Sequence, residues 1–355
     1  MKNLTTLAII SLSIIACNKD KSPKVITKID PTTGDTVKVE VASKEDSIKV
    51  IKEMKAKAGI KDSAGIYTQG FNLEKGKTYP FISQQNQTQT LKTPDGKSQK
   101  ISGKTVDEIT FTVDDIKDDV YEMTINFVAK RTSQTAQGKT IAVDTQKPAP
   151  KQKELKNQWS LDKAMTGNQL KMKMNKKGEI LSITGFEPIY KKVATTINTL
   201  TKDKKVRKNL IKGSKLSFNE EVLKAQFSRN MMILPKEGIA LNKVWSETEK
   251  LSKDGKVKMS THYRLKSVDN NVAVVVVSGG IPKQSDKQTK EGITRKASSE
   301  FKQNGTLKFD MTTGWIISQN IQMKTTEKET LSDGKQSQSM TSINTTSVMV
   351  NPKNL

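Results

Sequence analysis

The chain has 355 residues, 61 of them Lys or Arg against 37 Asp or Glu, for a formal charge of +24 with 34% hydrophobic and 5% aromatic residues. That length supports a large buried core, and the one cysteine excludes a disulfide within the chain. Only five of the basic residues are arginine (Arg131, Arg207, Arg229, Arg264, Arg295), so the excess is lysine, a hydrated point charge suited to solubility and loose attraction to anionic surfaces; the arginine forks of a nucleic-acid reader are scarce.

The chain begins with Lys2, a mostly apolar run from Leu4 to Ala16, and Cys17 in Ile14-Ile15-Ala16-Cys17. The run is shorter than the ~20 residues needed to cross a bilayer, and a small residue precedes the cysteine, as a cleavage site requires. The tetrapeptide closely resembles the bacterial lipobox. That resemblance implies removal of residues 1–16, which takes Lys2 and leaves +23, and a thioether-linked diacylglycerol on Cys17. It implies a lipid-anchored protein of a bacterial cell envelope, at the outer membrane, with the periplasmic or surface side left open.

Residues 17–66 read as the lipidated cysteine and a polar tether. Thr36 to Val41 forms a candidate strand within it, and Ser43 with Asp46 could cap a short helix carrying Ile48, Ile51 and Met54.

Residues 67–185 form an expected first antiparallel half, because the apolar period there is two. Ile109, Phe111 and Val113 share one face, and Tyr121, Met123, Ile125 and Phe127 share another across a turn at Ile116 to Asp119. Leu170, Met172 and Met174 repeat the pattern. Residues 186–235 switch to helical spacing: Ile189, Tyr190, Val193, Ile197 and Leu200 after Pro188, a second helix from Lys202 to Ile211 stopped by Gly213, and a third from a Ser217/Glu220 capping box with Leu223, Phe227 and Met231. Residues 236–351 return to period two in Val257 to Leu265, Leu307 to Met311 and Trp315 to Met323, while Val272 to Val277 reads as a buried strand ending at Gly279-Gly280. Asp-Gly-Lys turns at Asp95, Asp254 and Asp333 sit where strands meet. The runs Leu170 to Leu181 and Leu307 to Ile317 parallel each other, as a duplication would produce.

The expected fold class is therefore α+β, mainly β: two curved antiparallel β-sheet halves flanking a central helical segment that packs on the sheets.

The chemistry-bearing residues are few. His262, the one histidine, alternates onto the polar face of its strand, and with Cys17 acylated the parts of a Ser-His or Cys-His pair or a zinc site are missing. Asp114, Asp115, Asp118 and Asp119 could hold Ca²⁺ or act as a catalytic pair, but they read first as a solvated turn. Neither a metal nor a cofactor is expected, and the protein reads as a non-enzyme. Trp159, Trp245 and Trp315 read as core.

The basic concentration carries the candidate contact with an anionic surface, whether lipid or polysaccharide: Lys191, Lys192, Lys204, Lys205, Arg207 and Lys208, with Lys202, Lys212 and Lys215 nearby. The competing reading is the solvated face of a lid helix. A Met-rich sheet face beneath helices could instead hold an apolar ligand, which makes a lipid carrier or sensor the alternative function.

The lipobox, the run Phe71 to Tyr79, Lys177-Gly178-Glu179-Ile180, the central helices, and Leu234-Pro235 followed by Val244-Trp245 resemble an uncharacterised family of Bacteroidota lipoproteins over roughly residues 67–350. The resemblance implies an envelope location and a two-part β-rich fold, and it assigns no functional residue.

Overall fold

Side chains of alternating polarity give each long strand one face for the core and one for water, and this pattern organises the molecule. A computed structural model describes the backbone of residues 24–29 and 36–41, and residues 58–252 and 254–353 in full. The lipobox, Cys17 and the expected helix around Ile48 lie outside the described residues. The expected strand Thr36–Val41 (β2) is present and pairs with Lys24–Ile29 (β1).

The main sheet has 12 antiparallel strands among the described residues. They are β5 (Thr78–Lys92), β6 (Ser98–Lys117), β7 (Val120–Ala136), β8 (Lys139–Asp144), β9 (Gln169–Asn175), β10 (Ile180–Thr184), β12 (Val244–Lys250), β13 (Lys258–Asp269), β14 (Val272–Lys290), β15 (Ile293–Asp310), β16 (Ile316–Ser332) and β17 (Ser337–Val350). Their order is β10-β9-β7-β6-β5-β17-β16-β15-β14-β13-β12, with β8 added beside β7. The chain starts in the middle at β5 and meanders out to β10. It then crosses through helices to the far edge at β12 and meanders back to β17, which closes against β5 from Ser83↔Val350 to Lys92↔Thr341. The two expected halves are thus one continuous sheet, open at both edges.

Four described helices accompany it: α1 (Lys153–Met165), α2 (Phe186–Leu200), α3 (Lys204–Ser217) and α4 (Glu220–Met231). The space between helices and sheet is filled. Phe227 of α4 meets Phe81 of β5 and Phe111 of β6 edge-on, with ring centroids 5.9 and 5.0 Å apart, and Phe111 meets Trp315 at 5.4 Å. Met123, Met172 and Met174 are fully buried in the same core, which includes both sides of the β5–β17 joint. Trp315 is core, Trp245 is half-buried against Tyr263, and Trp159 is half-buried with its indole N–H donating to the Asp144 and Lys147 carbonyls.

Several boundaries differ from the expected ones, each for a local reason. α3 runs through Gly213 to Ser217, because a solvent-exposed glycine costs a helix only about 1 kcal/mol. The Ser217 hydroxyl turns back to the Gly213 and Ser214 carbonyls, and Asn219 caps α4 by accepting from the Val222 N–H at 3.0 Å. β14 continues past the glycine pair to Lys290; Gly279 lies so close to the Ser260 carbonyl, and Gly280 to the Phe301 carbonyl, that no side chain fits. What ends near Val277 is the burial, not the strand.

The stretch read as tether also contributes to the folded part. β3 (Ile60–Ser63), β4 (Ile66–Gln69) and β11 (Ile239–Ala240) form a three-stranded sheet, and Ile60 is buried. The segment that follows lies between the two turns of the sequence parallel. Phe71 N–H donates to the Lys176 carbonyl at 2.7 Å, and Asn72 N–H to the Thr313 carbonyl at 3.0 Å. Gly314, at φ +76°, sits directly under the Gly70 carbonyl, where a Cβ has no room.

Candidate functional site

The acidic turn resolves into ion pairs. Asp118 and Asp119 are the two positive-φ residues of a tight β6–β7 hairpin, the geometry for which Asp is favoured. Asp115 pairs with Lys75 at 2.7 Å and Lys117 at 3.0 Å, which together hold its carboxyl well below the usual range. Asp119 pairs with Lys176 at 2.6 Å and is lowered by it, while Asp114 bonds Thr124 at 2.6 Å and Lys171 at 3.0 Å. Asp114, Asp115 and Asp119 thus already have lysine partners, drawn from the segment before β5, from β6, from β9 and from the turn after β9. Among the described residues no group of three or more His, Cys, Asp and Glu is placed to hold a metal ion.

His262 is exposed on β13, and its Nδ1 lies 2.7 Å from the Ser246 hydroxyl of β12. The two are direct cross-strand neighbours, which accounts for the contact.

The basic residues converge on α2 and α3. α2 is a two-sided helix whose Ile189, Val193 and Ile197 are buried. α3 is different. Asp203 caps it by accepting from the Lys205 and Val206 amides at 2.7 and 3.0 Å, and along its 14 residues no side chain is fully buried. Its inward line is Arg207, Ile211 and Ser214, continued beyond the helix by Phe218, whose ring meets Phe127 and Phe186. On one side of that line Val206 and Leu210 stand 42% and 47% exposed, and Leu216 near the helix end is 63% exposed. On the other side Lys204, Lys208, Lys212 and Lys215 follow at helical spacing. Lys215 lies over the Tyr190 ring at 4.7 Å, and the Tyr190 hydroxyl donates to the Phe218 carbonyl at 2.8 Å, which ties α3 to α2.

Two adjoining open clefts, which share Ile211 and Lys215, lie along the lysine side of this helix. One, of about 670 Å³, is lined by Glu187, Pro188, Tyr190, Lys191, Ala194, Ile211 and Lys215. The other, of about 510 Å³, is lined by Lys208, Ile211, Lys212, Lys215 and Leu216. Both have apolar floors and lysine rims.

The six expected contact residues do not all face solvent. Lys191, Lys204, Lys205 and Lys208 are exposed. Lys192 is exposed too, with its ammonium donating to the Asn168 side chain at 2.6 Å, and Arg207 alone is half-buried, turned inward to the Lys202 carbonyl at 2.6 Å. Lys212 and Lys215 are exposed beside them, as are Val206, Leu210 and Leu216. The i, i+4 spacing of Val206 and Leu210 was the sequence signal for that apolar strip.

No curated protein matches this chain in sequence. Among solved structures a lipovitellin chain matches with a TM-score of 0.30 and 10% identity, covering 77% of this chain and 25% of its own length. Vibrio cholerae OmpT, an outer membrane protein solved with a loop deleted, matches at 0.18 and 8% identity, covering 76% and 99%. Pseudomonas aeruginosa OccK5 matches at 0.17 and 7% identity, covering 77% and 98%. Residues 118–316, from the β6–β7 hairpin through the crossing helices to the first residue of β16, match the model of the family of unknown function DUF6263, and the chain belongs to that family.

Proposed function

We propose that the protein is a non-enzymatic, lipid-anchored component of a bacterial cell envelope, held at the outer membrane by a lipid on Cys17 and acting as a binding or structural element. The observation that carries the reading is the Leu4–Cys17 sequence, an apolar run ending in Ala16 and the chain's one cysteine. The folded part supports a binder over a catalyst: the acidic turn is paired with lysines, and the most distinctive surface is the basic helix α3.

The test is expression of the full chain in bacteria grown with labelled palmitate. Label on the wild-type protein and its recovery in the membrane fraction, both lost in Cys17→Ser, is the expected result. An unlabelled wild-type protein recovered in the soluble fraction would overturn the reading.

A second reading is a carrier or sensor of an apolar ligand. The filled space between sheet and helices leaves it the clefts beside α3, whose apolar floors favour it. Solvent extraction of the purified protein followed by mass spectrometry should then release a stoichiometric apolar molecule, and repeated empty extracts would sink the idea.

A further inference from the structure

We infer that α3 is an interfacial membrane helix: its Val206, Leu210 and Leu216 side chains enter the headgroup–acyl boundary of an anionic bilayer, and its lysines engage the lipid phosphates. The inference rests on the membrane-proximal placement proposed above but not on the lipid at Cys17. Three observations lead to it.

The apolar side chains have no partner in the fold that would explain them. A helix whose only task was to cover the sheet would bury its apolar strip, as α2 buries Ile189, Val193 and Ile197. α3 instead turns Val206, Leu210 and Leu216 outward. Scattered exposed leucines are ordinary. Three exposed on one 14-residue helix are more than scatter, and Leu216 also lines the second cleft.

The charge around that surface is mostly positive, with Glu187 of the first cleft the one carboxylate in either lining. Lys191, Lys204, Lys205, Lys208, Lys212 and Lys215 surround it, and among the described residues none of them forms an ion pair with a carboxylate. Asp203, the one acid on the helix, is spent on the cap. Strong charge, low mean hydropathy and a separate apolar strip distinguish interfacial helices from spanning ones, and no described helix is long and apolar enough to cross a membrane.

The type of cation selects the partner. Lysine offers a mobile point charge on a flexible stem, which suits a fluid sheet of phosphates, whereas a fixed anionic group is better met by arginine forks. The stems also let the ammonium groups reach phosphates while their methylenes lie along the apolar floor. The one arginine on α3 is turned inward.

The test uses the full chain with Cys17→Ser, so that a nitroxide can be attached to a single new cysteine at Leu210→Cys, Leu216→Cys or, as an aqueous reference, exposed Thr345→Cys on β17. Each is mixed with vesicles of phosphatidylcholine alone or with phosphatidylglycerol added. Expected is a several-fold rise in the ratio of oxygen to nickel-chelate accessibility at positions 210 and 216 on anionic vesicles only, reversed by salt, with position 345 unchanged. The local readout is blind to any binding through residues 1–16. Lys204→Gln, Lys208→Gln and Lys212→Gln together should abolish the rise and weaken this docking on the order of a hundredfold; all three are exposed, and unchanged circular dichroism confirms the fold. Accessibility at 210 and 216 that ignores vesicles, or that changes equally on neutral ones, overturns the inference. So does binding of a soluble anionic polysaccharide that leaves the anionic-vesicle signal absent.

Discussion

The Ile183 amide at the edge of the main sheet donates to the Glu220 carboxylate of α4 at 3.2 Å. One helical turn on, Lys224 donates to the Leu181 carbonyl at 2.7 Å, and the two α4 side chains pair with each other at 2.8 Å. An i, i+4 ion pair thus supplies edge strand β10 with the acceptor and donor that a further strand would have given. Exposed edges invite pairing with other chains, and this one is covered by side chains.

Removing the acceptor by Glu220→Ala should open that edge. The Ile183 amide should then exchange with solvent faster in hydrogen-exchange measurements, while global stability falls by no more than about 1 kcal/mol because the pair is half-exposed. Lys224 first, then the Ile183 amide, hold the Glu220 pKa below its usual value. A depressed folded pKa means the contribution is present at neutral pH and is lost as pH falls below the unfolded value of ~4.3 and through the folded one. Exchange at Ile183 that is equal in wild type and variant would count against this arrangement.

Gln69 does for α4 what Glu220 does for the sheet. Its amide nitrogen donates to the Met231 carbonyl at 2.7 Å, and its oxygen accepts from the Ile233 and Leu234 amides at 2.9 and 3.1 Å. One side chain therefore satisfies the helix end and the chain leaving it. Gln69→Leu keeps the volume and strands three backbone groups, so a loss of about 2–4 kcal/mol in urea unfolding is expected. Gln69→Glu, which keeps the acceptor, should lose less.

Phe227 is the α4 side chain that fills the space over β5 and β6. Phe227→Ala should cost about 3–5 kcal/mol by urea unfolding, because the fully buried Phe81 and Phe111 rings against it relax little into the gap. A loss under about 1 kcal/mol would mean the sheet–helix space is loose enough to admit a ligand, which would restore the internal carrier reading.

How much of this was legible in the sequence follows the burial of each element. Half-buried strands such as β6, β7 and β13 announce themselves through alternation, and the Asp-Gly-Lys turns mark their hairpins. β14 beyond Gly280 is exposed on both faces, so its ladder continues with no alternation to record it. α1 went unread because Asp162 is its one buried residue and its apolar face is weak. The β5–β17 joint has no local signature, since it pairs the first strand of the main sheet with the last. In the candidate site the basic composition was readable, but which cations are tied to a partner in the fold was decided by packing: Lys192 donates to Asn168, and Arg207 to the Lys202 carbonyl.

Asp162 gives a prediction whose sign runs against the usual carboxylate. It lies on the buried side of α1, bonded to Gln158 at 2.9 Å and 3.8 Å from Lys130, which also approaches Asp107 at 3.5 Å. Burial raises its pKa, and Gln158 and Lys130 offset that only in part. A folded pKa above the unfolded one means the folded state holds the proton more tightly. Its contribution is then full below the unfolded value of ~3.9 and is lost as pH rises through the folded value. Asp162→Asn keeps a partner for Gln158 and removes the charge, so it should stabilise the protein at pH 7 and flatten the dependence of the urea midpoint on pH above ~4. A variant less stable than wild type at pH 7 would show that Lys130 contributes more to the charged form than burial takes away.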